Sequence, residues 1–325
     1  MEKPKFVAIV GPTASGKSPL ALELAQRFQG EIISADSVQV YRGFDIGTAK
    51  SSVEERRKVP HHLVDILDPD QDYSAALFRE QAHSIIHEHH KRKTPIFIVG
   101  GTGLYLKVLT RGLFRGPAGN SKLRSALYKK AERDGIEVLH QKLQRQDPEA
   151  AWRIHPHDRL RIIRALEVYS LGHKPISLFQ KEHGFREAPY EVLKIGLHCE
   201  RDELYRRIEL RVERMMEMGW VDEVRALLNQ GYGPGLKSMQ SLGYRSIVAY
   251  LSGGVNLKEA ILLIKRDTRR YAKRQITWFK PDPLINWFPT NQESFRTMER
   301  KVENFFQHNH LGESQDLGHD KASVF

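Results

Sequence analysis

Cysteine is almost missing from this chain: Cys199 stands alone among 325 residues. No internal disulfide can form, and the expected setting is a reducing cytoplasm. Apolar runs of the roughly 20 residues that a membrane-spanning helix needs are also missing, so no membrane partner is expected. The opening Met1-Glu2-Lys3-Pro4-Lys5 leads at once into a strand pattern and does not resemble a secretory signal. Acidic residues are the minority, 40 against 51 Lys plus Arg, for a net charge of +11. That excess admits a nucleic-acid partner without requiring one, so the placement of the charge matters more than its sum. Hydrophobic content of 40% and charged content of 28% argue against a disordered chain, and the length suits about two domains.

What is present begins with Gly11-Pro12-Thr13-Ala14-Ser15-Gly16-Lys17-Ser18, directly after the apolar run Phe6-Val7-Ala8-Ile9-Val10. This is P-loop spacing in its proper setting, with a buried strand before it and the helical pattern Leu20, Leu22, Leu24, Ala25 after it. Such a turn lets backbone N–H groups approach phosphate oxygens, and the helix N-terminus and Lys17 add positive potential. Ser18 offers a hydroxyl to Mg2+, and Pro19 fits a first helical turn, where its missing N–H has no partner to lose. A di- or triphosphate ligand is predicted.

Short β-branched runs at 6–10, 31–34, 96–99, 192–197 and 284–288 alternate with helical patterns, which predicts an α/β fold. The expected architecture is a P-loop NTPase-like core with a parallel sheet. The stretch 62–65 reads as a further short strand or a loop, and 72–91 as a helix with Ser74 as N-cap. From 116 to 189 the pattern turns helical and charged, with helices expected over 121–134, 136–146, 148–153 and 158–171. The expected organisation is therefore a core of 1–115 and 190–306, an all-helical insertion of 116–189, and a disordered tail from 307 to 325. In the second core segment, helices are expected over 202–218, 221–230, 243–251 and 257–279.

The second strand delivers Asp36, and in a doubly wound sheet the carboxyl ends of strands line the ligand crevice. A carboxylate there can serve as a general base or orient magnesium through water. The third strand lacks the acidic magnesium ligand usual in ATP-hydrolysing P-loop proteins. It runs instead into Gly100-Gly101-Thr102-Gly103-Leu104-Tyr105, where Thr102 can present a hydroxyl at the crevice rim.

Basic residues concentrate at 265–280. Helical spacing puts Arg266, Arg270 and Lys273 on one face with Arg269 adjacent, followed by Trp278 and Phe279. Arg159, Arg161 and Arg164 form a smaller cluster, and Arg245 sits in a Gly243-Tyr244-Arg245-Ser246 turn. Three clusters on a basic chain favour an RNA surface, with phosphates fixing register and splayed bases being read. His83, His87 and His90 share a helical face with His89 beside them. Their neighbours Glu88 and Lys91-Arg92-Lys93 mark it as ordinary solvated surface, and no metal is expected there.

Taken in order, these motifs resemble the tRNA dimethylallyltransferases, also called tRNA isopentenyltransferases, as far as about residue 305. The resemblance is carried by 11–18, Ser34-Ala35-Asp36-Ser37-Val38-Gln39-Val40-Tyr41, Asp45-Ile46-Gly47-Thr48-Ala49-Lys50 and 100–105. Arg153-Ile154-His155-Pro156, Leu242-Gly243-Tyr244-Arg245 and Lys273-Arg274-Gln275-Ile276-Thr277-Trp278 complete it. It implies transfer of a dimethylallyl group from dimethylallyl diphosphate to N6 of adenine 37, beside the anticodon, in tRNAs reading codons that begin with U. The P-loop (Gly11, Pro12, Thr13, Ala14, Ser15, Gly16, Lys17, Ser18) would then hold a diphosphate, with Mg2+ on Ser18. Asp36 would be the base, Lys17 would stabilise the leaving group, and Arg211 would lie near its bridging oxygen.

By the same resemblance, Asp36, Ser37, Val38, Gln39 and Thr102 meet the flipped adenine. Arg124, Arg161, Arg164, Gly243, Tyr244, Arg245, Lys273, Arg274 and Gln275 meet the anticodon stem-loop of a tRNA. A monomer is expected. Two departures stand out. Ser18 replaces a frequent threonine, and Arg159-Leu160 stands where some relatives have Pro-Gln. From the residues alone, a nucleoside or small-molecule kinase and a non-catalytic RNA-binding module remain the rival readings.

Overall fold

The structure is a computed structural model that describes residues 2–307. The elements run β1 (Lys5–Val10), α1 (Lys17–Arg27), β2 (Glu31–Ser34), α2 (Val53–Lys58), β3 (His61–His62), α3 (Ala75–Arg92), β4 (Ile96–Val99) and α4 (Gly103–Arg111). Five helices follow: α5 (Ser121–Asp134), α6 (Ile136–Gln146), α7 (Pro148–Arg153), α8 (Arg159–Gly172) and α9 (Ile176–His183). The chain then makes β5 (Glu191–His198), α10 (Arg201–Glu217), α11 (Trp220–Asn229), α12 (Tyr244–Leu251), α13 (Leu257–Phe279), β6 (Ile285–Pro289) and α14 (Gln292–Gln307). Gln307 thus closes a helix, and the rest of the tail predicted to be disordered lies outside the described residues.

The strands form one all-parallel sheet in the order β3-β2-β4-β1-β5-β6. β1 and β4 are rich in β-branched and aromatic residues and buried along nearly their whole length, as strands covered on both faces require. Val7, Ile9 and Phe97 pack with Leu20 and Leu24 of α1 and Met298 and Val302 of α14. The chain leaves β1 towards β2, while β5 and β6 extend the sheet on its other side. The order therefore reverses at β1, and the crevice opens beyond its carboxyl end.

The chain divides into two compact units, one of 1–107 with the segment from 189 onward, the other of 108–188. The first break falls inside α4, which begins at Gly103 within the glycine-rich 100–105 segment. Leu106 and Leu109 are buried along it, because its apolar residues recur at helical spacing once Gly103 is passed. The helical unit has its own core of Leu127, Leu139, Leu143, Ile162, Ile163 and Leu166. Asp147, 1% exposed, joins two of its helices. Its Oδ1 accepts from the Ala150 N–H at 2.9 Å and its Oδ2 from the Ser177 N–H at 3.0 Å.

Candidate active site

The turn after β1 becomes α1 at Gly16, the N-cap, whose φ of +89° lies in the left-handed region. Lys17 opens the helix and its Nζ donates to the Pro12 carbonyl at 2.6 Å, folding the side chain back over the loop. A cavity of about 380 Å3 opens here, and Thr13, Lys17, Ser18, Asp36, Arg211 and Gln275 are among its lining residues. Desolvation of the ammonium, with the Arg211 charge adding, pulls Lys17 down to about 7, while Asp36 opposes the fall. Burial likewise lowers the Arg211 guanidinium, and Asp36 again opposes. Arg211 makes no ion pair among the described residues. Ser15 is wholly buried, and its Oγ has no hydrogen-bond partner there either. Two desolvated cations beside a cradle of backbone N–H groups make a site for an anion with several oxygens.

Asp36 reaches the cavity because β2 and β4 lie side by side and the turns after them nearly touch. At Gly100 a Cβ would come within 2.2 Å of the Ala35 carbonyl, so no other residue fits without moving the loop. The Asp36 Oδ1 accepts from the N–H groups of Val38 at 2.8 Å and Gln39 at 3.3 Å. Its Oδ2 accepts no hydrogen bond from any described residue. One oxygen therefore fixes the turn and the other is left for a ligand.

Tyr271 and Gln275, one turn apart on α13, form the opposite wall. The buried amide of Gln275 accepts from the Thr13 N–H at 2.8 Å and donates to the Gly101 carbonyl at 3.1 Å. It ties the phosphate loop to the turn after β4 from a buried position. Burial, with Asp36 adding, pushes the Tyr271 phenol up to about 12, so it stays a neutral hydroxyl. The buried Thr102 Oγ1 has no hydrogen-bond partner among the described residues.

The segment 45–50 carries the resemblance without a stated role, and its partner, Glu223 of α11, gives no signal in the sequence. That carboxylate accepts from the N–H groups of Asp45 at 3.0 Å, Ile46 at 2.6 Å and Gly47 at 3.3 Å, and from the Tyr244 hydroxyl at 2.6 Å. Lys50, with a side chain 2% exposed, donates to the Tyr41 carbonyl at 2.8 Å, to Asp45 at 2.6 Å and to Asp65 at 2.5 Å. Gln39 spans the same loop, accepting from the Ser34 hydroxyl at 2.8 Å and donating to the Thr48 carbonyl at 3.2 Å. Glu223, Lys50 and Gln39 together hold the loop that ends the cavity.

The residues expected to meet RNA separate into two sets. Tyr244 is only 1% exposed and its hydroxyl is spent on Glu223, so its side chain belongs to the core. Gly243 has φ +85°, and a Cβ there would come within 2.1 Å of the Trp220 indole, which explains that glycine structurally. Val38 is half-buried against the cluster formed by Val40, Phe44 and Tyr244. Ser37, Lys273 and Arg274 are exposed, and Trp278 lies half-exposed over Gly103.

On α13, Arg269, adjacent to the expected basic face, turns to α10. It pairs with Glu209 at 2.7 Å, as Lys265 does with Glu213 at 2.6 Å, both across to α10. Arg245, Arg266 and Arg270 instead converge on Asp267, at 2.5, 3.0 and 3.7 Å. In the helical unit, Arg124 and Arg164 both pair with the fully buried Glu167, at 3.1 and 2.7 Å. Arg161 stays exposed, 3.5 Å from Asp158.

Residues 39–282 match the profile of the IPP transferase family. The chain is 56% identical over 307 residues to tRNA dimethylallyltransferase 2 of Geotalea uraniireducens, covering 94% of this chain and 98% of that one. It superposes on the full-length tRNA isopentenylpyrophosphate transferase of Bacillus halodurans with a TM-score of 0.70 and 41% identity, covering 94% and 98% of the two chains. A eukaryotic dimethylallyltransferase, seen in crystallographic snapshots acting on tRNA, superposes with a TM-score of 0.78 and 28% identity. That match covers 95% of this chain and 81% of the other. No described helix is long and apolar enough to cross a membrane.

Proposed function

This chain belongs to the IPP transferase family, and from that premise we propose that it moves a dimethylallyl group from dimethylallyl diphosphate to N6 of adenine 37 in tRNAs reading codons that begin with U. The observation that carries this reading is the meeting of Lys17, Arg211 and a half-unpartnered Asp36 around one cavity. In the reaction a bond forms from N6 to the allylic carbon, the bond from that carbon to the bridging oxygen breaks, and diphosphate departs. N6 is a weak nucleophile because its lone pair is delocalised into the purine ring. The free Oδ2 of Asp36 accepts its proton as the bond forms. Lys17, Arg211 and the loop N–H groups receive the negative charge that collects on the departing diphosphate.

Ser18 lies at the rim and Asp36 faces the same cavity, so hard oxygen donors for Mg2+ are present. When bound there with the diphosphate, that ion would neutralise part of the leaving group's charge. The allylic carbon gains cationic character, and water must be excluded while the adenine enters from an unstacked loop at a cost of a few kcal/mol. Tyr271 lines the cavity and supplies a neutral hydroxyl where the purine would rest, and the buried Thr102 hydroxyl sits in the turn after β4. The exposed Ser37, Lys273, Arg274 and the arginines around Asp267 supply the RNA-facing charge and polarity. The helical unit, through Arg161 and the exposed sides of Arg124 and Arg164, is assigned to the tRNA as well.

Incubation with unmodified tRNA and labelled dimethylallyl diphosphate, followed by nucleoside mass analysis, tests the proposal. Dimethylallyl-adenosine at position 37 is expected. Unmodified tRNA together with phosphoryl transfer from ATP would favour the kinase reading instead.

A further inference from the structure

The first residue of β2 meets two histidines. Glu31 Oε2 lies 2.5 Å from Nε2 of His62 on β3 and 2.9 Å from Nε2 of His89 on α3. All three ligand-capable atoms lie within 4.8 Å of one another. The trio comes from three separate elements, and successive strand residues take opposite faces. His61 therefore lines the phosphate cavity while His62 joins this cluster.

The hydrogen-bond pattern around His89 decides what the cluster needs. Its Nδ1 lies 2.8 Å from the Ile85 carbonyl, which can only accept, so Nδ1 carries the proton. In a neutral ring Nε2 then presents its lone pair to a carboxylate oxygen, which is repulsive. The contact is attractive only if a positive charge lies between the two atoms, either a proton or a metal ion. The His89 ring, held by a backbone carbonyl through its far nitrogen, has the arrangement typical of metal-ligating histidines. Its side chain is 5% exposed, while those of Glu31 and His62, at 23% and 28%, reach towards solvent.

We propose that Glu31, His62 and His89 bind a divalent transition-metal ion, with zinc the best match to two imidazoles, one carboxylate and an open fourth position. Neighbouring ligand atoms around a tetrahedral ion sit about 3.3 Å apart, so binding requires the Glu31 oxygen to draw back by about 0.8 Å from the His62 nitrogen and about 0.4 Å from that of His89. The ion would pin β3, a strand of two residues, to β2 and α3, and so steady His61 at the cavity wall. This site stands apart from the transferase reading and does not depend on it. The histidine face considered from the sequence is different: His83 bonds the Tyr190 hydroxyl at 2.5 Å, and His87 packs on His83.

The test uses the full chain, dialysed against chelator, then titrated with Zn2+ alone by calorimetry and with Co2+ alone by visible absorption. One tight ion per chain is expected, with a Co2+ spectrum of low coordination number. Glu31→Gln and His62→Ala should each weaken binding by about tenfold or more, whereas the double variant His83→Ala, His87→Ala should leave the spectrum unchanged. Zn2+ should raise the Tm of the unaltered protein but not that of Glu31→Gln, a near-isosteric change that keeps the fold. An unchanged Co2+ spectrum in both ligand variants, or a Tm indifferent to Zn2+, would overturn the proposal and leave the trio holding a proton only.

Discussion

The cavity beside the phosphate loop and the interior of the helical unit treat buried charge in opposite ways. Around the cavity, Lys17 and Arg211 are desolvated without a carboxylate bonded to either, and one oxygen of Asp36 is unclaimed. In the helical unit, the Glu167 side chain is fully buried but fully satisfied. It accepts from Arg124, from Arg164 and from the Asn120 N–H at 2.8 Å. Burial alone would raise its carboxyl, yet the two arginines outweigh that and hold it below the usual carboxylate range. Desolvated charge without a partner costs stability and so marks a place kept for a ligand, while charge with its partners in place marks scaffold.

Asp36→Asn is the hardest test of the cavity half of that contrast. It keeps the turn-forming acceptor but removes the base, so single-turnover prenyl transfer should fall by roughly 100- to 10,000-fold. Affinities for tRNA and diphosphate should change little, and a near-normal single-turnover rate would remove Asp36 from the chemistry. Glu167→Ala tests the scaffold half. It strands Arg124 and Arg164, and the helical unit should lose about 2 kcal/mol, below the full cost of breaking a buried pair because both arginines are about a third exposed. A thermal melt checks this, and an unaltered Tm would mean that Glu167 holds nothing together.

Lys17 gives a smaller, pH-dependent effect. Its ammonium titrates near 7 in the empty site, and a bound diphosphate favours the protonated form. Donor affinity should therefore fall as pH rises above about 7, approaching tenfold per unit. In Lys17→Arg the charge does not titrate, so the ratio of the two affinities isolates the lysine from the donor's own ionisation. A ratio independent of pH would show that Lys17 stays charged in the empty site.

Much of the scaffold could be read from residue order, because a buried parallel strand is an uninterrupted β-branched run and such runs are hard to mistake. The phosphate loop and Asp36 were legible for the same reason: each follows directly from the end of a strand. What could not be read is side-chain partnership across distance. Glu223 is one of many helical carboxylates until the fold brings it beneath the 45–47 backbone and against Tyr244. Tyr244 and Gln275 were expected at the RNA through the family resemblance alone, and residue order gave no sign that each faces inward to hold a loop. Arg269, adjacent to the basic face, shows a related limit: helical spacing groups residues on one helix but does not say which face meets a neighbouring helix, and α10 claims it.

The arginines on Asp267 sharpen the contrast most finely, because they fall between its two limits. One carboxylate, 12% exposed, is shared among Arg245, Arg266 and Arg270, so the group keeps a net positive charge at the surface. Arg270 is the least committed, 3.7 Å from Asp267 and 63% exposed. Its loss should leave the fold intact, since Arg245 and Arg266 still satisfy the carboxylate. If Arg270 meets an RNA phosphate, Arg270→Ala should weaken tRNA binding a few-fold and reduce the slope of log affinity against log salt by about 1. Binding titrations at several salt concentrations measure that slope directly. An unchanged slope would assign Arg270 to the scaffold, and leave Lys273 and Arg274 as the charges on this helix that face the RNA.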